Sequence, residues 1–255
     1  MTALPIMPSL RLDGMRALVT GASRGIGRAA AVALAESGAD VRLAARTLAD
    51  CEETAGALRA KGLKAEALAL DVTDREAVRR VVAAEGPFDI LINNAGTIAR
   101  ESFLETSDES VDRLLDLNVR AAFTVAQAVA QGMIAAGKGG AIVNTSSVNG
   151  YVAGPNRSVY TATKHAVEGL TKAMAFELTR HGIRVNSVCP GFIETPMTAG
   201  ILADAEFRKA QEARIPLGRI LRVEDLMGAF VFLCSPAASA MAGTHIIVDG
   251  GVLTH

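Results

Sequence analysis

The feature that most constrains the fold is a regular alternation of short apolar segments with longer alanine-rich segments of helical spacing. The apolar segments predict strands at 15–20, 40–45, 64–70, 88–92, 141–145, 184–188 and 246–248. The alanine-rich segments predict helices at 28–37, 49–61, 74–85, 108–136 and 159–181, with a candidate break near Asn118. Strands separated by helices of this length need crossover connections, so the sheet is expected to be parallel and covered on both faces. The sequence therefore predicts an α/β fold in which residues 1–255 form a single doubly wound Rossmann-type domain with a seven-stranded parallel sheet flanked by helices.

The charge composition excludes some classes of protein. The chain has 255 residues, and 26 lysines and arginines nearly balance 27 aspartates and glutamates, which gives a net charge of −1. Nucleic-acid-binding proteins usually carry a basic footprint, so we predict no nucleic-acid partner. The four histidines are scattered without the spacing of metal ligands, which predicts no metal site.

Cysteine usage and the apolar segments predict a cytoplasmic protein without a membrane partner. Cys51, Cys189 and Cys234 are widely spaced and form no C-x-x-C pattern, which is typical of reduced thiols. Cys189 is interpreted as a strand packing residue and not as a nucleophile. The N-terminus lacks the basic and apolar regions of a signal peptide. The uncharged stretch 226–244 contains Pro236, and we interpret it as a buried helix, a turn and a loop instead of a membrane span.

A glycine-rich loop follows the first predicted strand. Gly21, Gly25 and Gly27 follow the pattern G-x3-G-x-G between that strand and the next helix. Glycines at these positions allow a tight turn and let the backbone approach a pyrophosphate, with the helix N-terminus facing the anion. Because the loop follows a strand and opens a helix, it predicts a dinucleotide-binding site.

The end of the second predicted strand indicates which dinucleotide is bound. A carboxylate at this place usually holds the ribose 2′-hydroxyl of NAD, but the sequence here is Ala-Ala-Arg-Thr over 44–47. Arg46 can pair with a 2′-phosphate, and Arg24 in the glycine loop can clamp the same group. We therefore predict a preference for NADP(H) over NAD(H). The alternative is that both arginines are solvated and that either cofactor is accepted.

Polar side chains cluster after the central strands. Tyr160 and Lys164 lie four residues apart at the start of a long helix, so they share one face. Ser147 follows the fifth strand, Asn118 interrupts the preceding helix, and Asn-Asn-Ala-Gly at 93–96 follows the fourth strand. Doubly wound folds bind ligands at the carboxyl ends of their strands, so these groups are expected to face one crevice.

These residues together resemble the short-chain dehydrogenase/reductase superfamily, in its single-domain group of this length. The matching positions, in the family's order and spacing, are 20–27, Asp71, 93–96, Asn118, Ser147, Tyr160, Lys164, Pro190 and Gly191. Ser147 precedes Tyr160 by the family's usual 13 residues.

The resemblance implies a catalytic set made of Asn118, Ser147, Tyr160 and Lys164. Tyr160 would be the general acid in carbonyl reduction and the general base in alcohol oxidation. The Lys164 ammonium would lower the pKa of the Tyr160 phenol and hold the nicotinamide ribose. Ser147 would hydrogen-bond the substrate oxygen, and Asn118 would hold a water that links Lys164 to solvent.

The resemblance also implies a set of cofactor contacts. Asp71 would contact the adenine with Val72 beside it, and Ile193 and Thr195 would meet the carboxamide and phosphates. The complete set expected to bind the cofactor is Gly21, Ser23, Arg24, Ile26, Gly27, Arg46, Asp71, Val72, Asn94, Ala95, Gly96, Tyr160, Lys164, Pro190, Gly191, Ile193 and Thr195. Residues 192–215 are expected to cover the substrate, either as a mobile lid or as a fixed surface helix.

Within the superfamily, the chain resembles L-xylulose/carbonyl reductases and gluconate-type sugar dehydrogenases. The resemblance lies in 44–47, 86–94, 158–160 and 214–218. It implies an NADP(H)-dependent oxidoreductase that interconverts a small carbonyl compound (ketose, sugar acid, polyol or diketone type) and its alcohol.

Two other functions remain open at this level. One is 3-oxoacyl-carrier-protein reduction, which would need a basic docking surface; the candidate residues are Arg120, Arg157 and Arg180. The other is a non-catalytic dinucleotide-sensing protein, although such a protein would typically have lost Tyr160 or Lys164.

The resemblance further implies a homotetramer. Two long helices per subunit, 108–136 and 159–181, would form one interface. Their small apolar positions suit close helix packing but could equally serve the core of the subunit; they include Ala121, Ala122, Ala126, Val129 and Met133.

Overall fold

The computed structural model of the chain describes residues 4–254. Its strands are β1 (Arg16–Thr20), β2 (Asp40–Ala45), β3 (Ala65–Ala69), β4 (Ile90–Asn93), β5 (Gly140–Thr145), β6 (Ile183–Pro190) and β7 (His245–Val248). They form one seven-stranded sheet in the order β3-β2-β1-β4-β5-β6-β7, and every neighbouring pair is parallel. The predicted doubly wound parallel sheet is confirmed.

The helices cover both faces of this sheet. They are α1 (Gly25–Glu36), α2 (Leu48–Ala60), α3 (Arg75–Glu85), α4 (Asp108–Leu115), α5 (Ala121–Ala135), α6 (Ser158–Leu178), α7 (Ala199–Leu202), α8 (Ala205–Ala213) and α9 (Glu224–Cys234). One apolar cluster joins α1, α2 and α9 to the first face, and another joins α3, α5 and α6 to the second. Because both faces are covered, β1 and β4 are buried along almost their whole length, and their middle residues are consecutive apolar ones instead of alternating with polar residues.

Helix α1 begins at Gly25, three residues earlier than predicted. Arg24 is its N-cap residue and has extended backbone angles, with φ −161° and ψ 173°. Glycine has a low helix propensity, so the sequence predicts that the helix begins after Gly27, the last glycine of the loop. The consequence is that Gly25 and Gly27 lie in the first helical turn instead of in a loop before it.

The predicted break near Asn118 is a π-helical turn and not an interruption. Helices α4 and α5 are joined by residues Asp116–Arg120, which form this turn. The backbone N–H of Ala121 donates to the carbonyl of Asp116, five residues earlier. Such a bulge keeps the helix continuous while it shifts the register of side chains. Asn118 is thereby turned into the interior, where it is 2% exposed.

The small apolar residues of α5 serve the core. Ala121, Ala122, Ala126, Val129 and Met133 are all buried within the subunit. The sequence left two roles open for these residues, packing between subunits and packing in the core of the subunit. The structure shows the second. The large apolar residues that α4, α5 and α6 leave exposed are Leu115, Phe123, Ile134 and Phe176.

The uncharged stretch 226–244 folds as a helix followed by short turns. It contains most of α9, then a 3₁₀ turn over Pro236–Ala238 and a loop that leads to β7. Across residues 4–254, no helix combines the length and the apolar character needed to cross a membrane.

A chain of buried amide and hydroxyl groups ties the sheet to the helices on its second face. The Nδ2 of Asn93 donates to the carbonyl of Ala122 at 2.7 Å and to Oδ1 of Asn144 at 3.2 Å. The Nδ2 of Asn144 donates to Oγ1 of Thr171 at 2.8 Å. Thr171 in turn donates to the carbonyl of Val167 at 2.8 Å, so β4, β5, α5 and α6 are joined by one continuous network.

We predict that Asn144→Ala lowers the free energy of unfolding by about 2–4 kcal/mol. The substitution leaves buried partners on Asn93 and Thr171 incompletely satisfied and opens a small cavity between them. The measurement is urea denaturation followed by circular dichroism. Gln127→Ala on the exposed side of α5 is the control and should change stability by less than about 0.5 kcal/mol. Equal effects of the two substitutions would contradict this account of the network.

Candidate active site

The crevice lies where the strand order reverses. Strand β1 is flanked by β2 on one side and by β4 on the other, so the connections from these strands run to opposite faces of the sheet. A cleft forms at the carboxyl ends of the strands at such a point. The segments that follow β1, β4, β5 and β6 carry the residues predicted to bind the cofactor and the substrate.

The glycine loop packs so closely that side chains cannot be accommodated. A Cβ atom at Gly27 would collide with the carbonyl oxygen of Gly21 and with the amide nitrogen of Asn94. At Gly21 the φ angle is +64°, and a Cβ would lie 3.0 Å from Cα of Ala95. These glycines bring β1, α1 and the segment after β4 into direct backbone contact.

The N-terminus of α1 is suited to a diphosphate. Arg24 forms no side-chain cap, and the first turn contains no acidic residue. The first backbone N–H groups of a helix have no partner within the helix and carry a partial positive charge. Ser23 lies in the turn before α1 and Ile26 in the first turn of the helix, where the glycine backbone leaves room for the ligand. The residues present therefore fit the phosphates of a dinucleotide.

Thr20 is the first residue of the glycine motif, but the sequence pattern assigned no role of its own to it. The backbone N–H groups of Asn94 and Ala95 donate to Oγ1 of Thr20 at 3.0 and 3.1 Å. The Nδ2 of Asn94 donates to the carbonyls of Thr20 and Gly21 at 3.1 and 3.2 Å. This network fixes the segment 94–96 against the glycine loop. The side chain of Thr20 is fully buried, so its strand position looked like ordinary core in the sequence.

The side of the crevice predicted to hold adenosine brings Arg46 near Asp71. Both residues are exposed at the carboxyl ends of the adjacent strands β2 and β3. The N–H of Thr73 donates to Asp71 and, with the positive charge of Arg46, lowers the pKa of that carboxyl group. Val72 beside it is 7% exposed. No carboxylate follows β2 directly, as the sequence indicated.

The segment after β6 packs against the glycine loop. The N–H of Gly191, which follows Pro190, donates to the carbonyl of Val248 at 2.9 Å. Thr195 lies against Gly25, where a Cβ would be 3.6 Å from that of Thr195. The side chain of Ile193 is only 4% exposed and packs in the core, so its main chain is the part that can face the crevice.

Tyr160, Lys164 and Ser147 are brought together at the crevice. Tyr160 and Lys164 occupy the first two turns of α6, and Nζ of Lys164 lies 5.7 Å from the centroid of the phenol ring. Lys164 is 8% exposed, and its Nζ donates to the carbonyl of Thr145 at 2.8 Å. Ser147 is 7% exposed at the end of β5, and its hydroxyl accepts the N–H of Asn149 at 3.1 Å.

The pKa values of these groups are set mainly by burial. Burial raises the pKa of Tyr160, while the Ser147 hydroxyl and the positive charge of Arg157 act in the opposite direction. This net direction is opposite to the expected lowering by Lys164, because desolvation of a phenolate outweighs the two opposing effects. Burial lowers the pKa of Lys164 to about 8.

The side-chain amide of Asn118 makes structural contacts with both of its polar atoms. Its Oδ1 accepts the N–H of Thr97 at 2.8 Å, and its Nδ2 donates to the carbonyl of Thr97 at 2.9 Å and to Oγ1 of Thr163 at 3.1 Å. Asn118 therefore fixes the loop after β4 to the start of α6. A water held beside Lys164 stays a prediction. Thr163, whose hydroxyl also donates to the carbonyl of Tyr160, was not identified from the sequence.

A buried carboxylate lies one helical turn beyond Lys164. Glu168 is 5% exposed and accepts hydrogen bonds from the hydroxyls of Tyr151 at 2.5 Å and Ser187 at 2.8 Å. Its negative charge raises the pKa of Lys164 and so partly opposes the effect of burial. Its spacing of four residues from Lys164 is the sequence signal that could have identified it.

Cys189 lies beside this carboxylate, with its Sγ 3.4 Å from Oε1 of Glu168. Burial raises the pKa of its thiol to about 12. The thiolate form that a nucleophile needs is therefore disfavoured, in agreement with the interpretation of Cys189 as a packing residue.

Residues 192–215 contain α7 and α8 and contribute most of a small apolar cluster. The rings of Phe192 and Phe207 lie 6.1 Å apart, and they pack against Leu202, Ile215 and Ile220. Helices α7 and α8 of this segment therefore stabilise each other through this apolar cluster. Its role in covering a substrate stays a prediction.

Comparison with known proteins shows similarity along nearly the whole chain. The family model described as enoyl-(acyl carrier protein) reductase matches residues 21–253. The chain is 47% identical over 245 residues to a gluconate 5-dehydrogenase of Gluconobacter oxydans, which covers 94% of this chain and 95% of the relative. It is 43% identical over 244 residues to an L-xylulose reductase of Bos taurus, with coverage of 96% and 98%.

Solved structures show the same relationship. The crystal structure of a gluconate 5-dehydrogenase from Burkholderia cenocepacia, in complex with NADP and tartrate, superposes with a TM-score of 0.92 and 38% sequence identity. The match covers 98% of this chain and 99% of the other. Together with the family model and the relatives, this similarity shows that the chain belongs to the short-chain dehydrogenase/reductase family.

Proposed function

We propose that the protein is an NADP(H)-dependent oxidoreductase that interconverts a small carbonyl compound of sugar type and its alcohol. The observation that carries the proposal is the convergence of Tyr160, Lys164 and Ser147 at the carboxyl edge of the sheet, the edge from which the glycine loop also leaves. The names of the similar proteins, a gluconate dehydrogenase and a xylulose reductase, support the substrate class.

Different segments of the chain would bind different parts of the cofactor. The glycine loop and the first N–H groups of α1 would hold the diphosphate, and Asp71 and Val72 would contact the adenine. Segments 94–96 and 190–195 would contact the rest of the cofactor. When bound, the nicotinamide supplies or accepts a hydride at the carbonyl carbon. Lys164 would orient the nicotinamide ribose, because its ammonium is held beside Tyr160 by the carbonyl of Thr145.

Proton transfer at the substrate oxygen is assigned to Tyr160. In reduction, Ser147 would donate a hydrogen bond to the carbonyl oxygen and fix its position, while the Tyr160 hydroxyl gives it a proton. In oxidation, the phenolate would accept the proton from the alcohol. The Ser147 hydroxyl and the positive charge of Arg157 favour the phenolate, which has to form inside a site where burial raises the pKa of the phenol.

A preference for NADP(H) rests on the charges after β2 and in the glycine loop. Arg46 and Arg24 are exposed, and the carboxylate that would repel a 2′-phosphate is missing from positions 44–47. Arginine pairs with phosphate oxygens through two parallel hydrogen bonds. The bound NADP of the Burkholderia cenocepacia enzyme is in line with this proposal.

Oxidation of NADPH in the presence of small ketones tests the reaction and the role of Tyr160. We expect turnover of ketoses, keto acids or diketones by the wild type. Tyr160→Phe should lower kcat/KM by about 100- to 10,000-fold because general acid catalysis at the carbonyl oxygen is lost. Tyr151→Phe, which removes the only other tyrosine hydroxyl, should keep most of the activity because that hydroxyl binds Glu168 instead of the substrate.

Two outcomes of that experiment would contradict the proposal. A folded Tyr160→Phe variant with near wild-type turnover would show that Tyr160 is not the general acid and base. Turnover of an acetoacetyl thioester, without turnover of sugars or diketones, would favour 3-oxoacyl-carrier-protein reduction.

The cofactor preference is tested by kcat/KM for NADPH and NADH. We expect the wild type to prefer NADPH, and Arg46→Asp to lower kcat/KM for NADPH by about 10- to 100-fold through loss of a charge-assisted contact. The same variant should gain activity with NADH, since a carboxylate can accept the ribose hydroxyls. Arg80→Asp on the exposed side of α3 serves as the control for added negative charge. A wild type that prefers NADH would contradict the proposal.

The exposed apolar residues on α4, α5 and α6 support a homotetramer. Phe176 is 90% exposed on α6, and Phe123 is 46% exposed on α5. Large apolar side chains this exposed are buried when subunits associate through these helices. Light scattering at micromolar concentration should give four times the subunit mass of 26.5 kDa, and the double variant Phe123→Glu/Phe176→Glu should dissociate. A wild type of 26.5 kDa would contradict this proposal.

A further inference from the structure

We propose that Glu168 is a positioning residue of the candidate active site, which keeps the ammonium of Lys164 charged next to Tyr160. This inference rests on the proposed function and deepens it, because it concerns the same proton transfer. It is carried by two buried and oppositely charged side chains of α6, whose charged ends bind adjacent positions of the sheet.

Glu168 and Lys164 are buried charges on the same helix that do not form an ion pair. Glu168 is 5% exposed and Lys164 is 8% exposed. Residues four apart in a helix have Cβ atoms roughly 5–6 Å apart. Across residues 4–254, neither side chain takes part in an ion pair with any other residue. Each charge is therefore near the other, while neutral groups bind both of them.

The sheet holds the two charged ends at neighbouring places. The ammonium donates to the carbonyl of Thr145 on β5 at 2.8 Å. The carboxylate accepts the hydroxyl of Ser187 and the thiol of Cys189, both on β6, at 2.8 and 3.4 Å. Thr145 is paired in the sheet with Val188, the residue between these two. Because neighbouring strands are roughly 4.8 Å apart, the register of β5 and β6 brings the ammonium and the carboxylate together.

The turn that begins at Ser147 covers this carboxylate. A Cβ at Gly150 would lie 3.0 Å from Cγ of Glu168 and 3.2 Å from the carbonyl oxygen of Lys164. The hydroxyl of Tyr151, the next residue, donates to Oε2 of Glu168 at 2.5 Å. The backbone of the turn and the tyrosine thereby keep water away from the carboxylate. Charges that are separated from water interact more strongly than charges on the surface.

Glu168 is the anion that acts on Lys164. Burial acts to raise the pKa of Glu168, but hydrogen bonds from groups that include Tyr151 and Ser187 bring this pKa below its usual value. Cys189 and Glu168 are the groups that oppose the effect of burial on Lys164. Burial raises the pKa of the Cys189 thiol to about 12, so this thiol is neutral near pH 8. The stabilising negative charge therefore comes from the carboxylate.

The other titratable groups around the two charges are Tyr151, Tyr160 and His245. Burial raises the pKa of both tyrosines, and the positive charge of Arg157 acts on Tyr160 in the opposite direction. The ring of His245 on β7 stacks on Tyr151, with the centroids 4.7 Å apart. Among all these groups, Glu168 is the one that carries a negative charge at neutral pH.

The proposed proton transfer needs a charged lysine. The ammonium would favour the phenolate of Tyr160 and orient the nicotinamide ribose. Burial lowers the pKa of Lys164 to about 8, so the ammonium loses its proton as the pH rises through this value. Without the charge of Glu168 this loss would occur at a lower pH. Glu168 therefore sets the upper end of the pH range in which the enzyme is active.

The experiment follows kcat/KM from pH 6 to 10 for the ketone that the wild type reduces fastest with NADPH. Glu168→Gln removes the charge and keeps hydrogen bonds, because the hydroxyls of Tyr151 and Ser187 can accept as well as donate. We expect the alkaline limb of the profile to move to lower pH by about 1–2 units. Glu168→Asp keeps the charge and should leave the limb close to its wild-type position, even if kcat falls.

Two control variants separate the charge from its hydrogen bonds and from the helix. Tyr151→Phe removes the shortest hydrogen bond to the carboxylate but not its charge, so the alkaline limb should stay in place. Glu177→Gln makes the same substitution at an exposed position of α6 and should change neither kcat nor the profile.

A second readout needs no turnover. The side chain of Lys164 is labelled with 13C at Cε, and its NMR signal is identified as the one lost in Lys164→Arg. The midpoint of its titration should lie near pH 8 in the wild type. In Glu168→Gln it should be lower by about 1–2 units, as for the activity profile.

Each outcome decides for or against the inference. A merely structural Glu168 would give a Gln variant whose activity is lower at every pH without displacement of the alkaline limb, and this result or an unchanged Lys164 midpoint would overturn the inference. If Glu168→Gln does not fold, the wild type and Glu168→Asp decide, because a Lys164 midpoint below about pH 7 in both would show that the carboxylate does not keep the lysine charged. If no carbonyl compound is reduced with either cofactor, the proposed function fails, and the NMR titration still shows whether Glu168 acts on Lys164.

Discussion

The architecture of the crevice depends on the contact between Gly27 of α1, Gly21 of the preceding turn and Asn94 after β4. These three positions lie where the strand order reverses, so they join the two halves of the sheet. The contact allows the N-terminus of α1 to approach the sheet edge with its N–H groups free. Any side chain at Gly27 would push α1 away from the segment 94–96 and widen the site that the diphosphate is proposed to fill.

A second constraint runs along one face of α6. Polar residues recur on this face at helical spacing and are buried: Thr163, Lys164, Glu168 and Thr171. Burying such groups is costly unless each finds a partner. The partners come from several elements, namely Thr145 and Asn144 on β5, Asn118 in the π-helical turn and Ser187 on β6. The position of Tyr160 and Lys164 is thus determined by a network that extends through the second face of the sheet.

Local patterns were sufficient to predict the parallel sheet, the glycine loop and the pairing of Tyr160 with Lys164. They were insufficient where one residue type has two possible environments. The alanines of α5 fitted either a core or an association surface, and only the packing of α3 and α6 around them placed them in the core. The start of α1 was predicted too late because glycine disfavours helix unless the surrounding packing requires it there. The pKa of Tyr160 was expected to fall because a lysine was near in sequence, but the extent of burial reversed the direction.

By itself, the sequence determined the fold class and the family resemblance, because strand and helix periodicity and the spacing of short motifs are local properties of the chain. The four residues of the proposed catalytic set also come from the sequence motifs. Only the tertiary structure decided that Asn118 holds the loop after β4 and that Glu168 is buried one helical turn beyond Lys164. These relationships join residues from separate elements, and their electrostatic consequences depend on burial and on charges far away in the chain. Such quantities are fixed only when the helices have packed against the sheet.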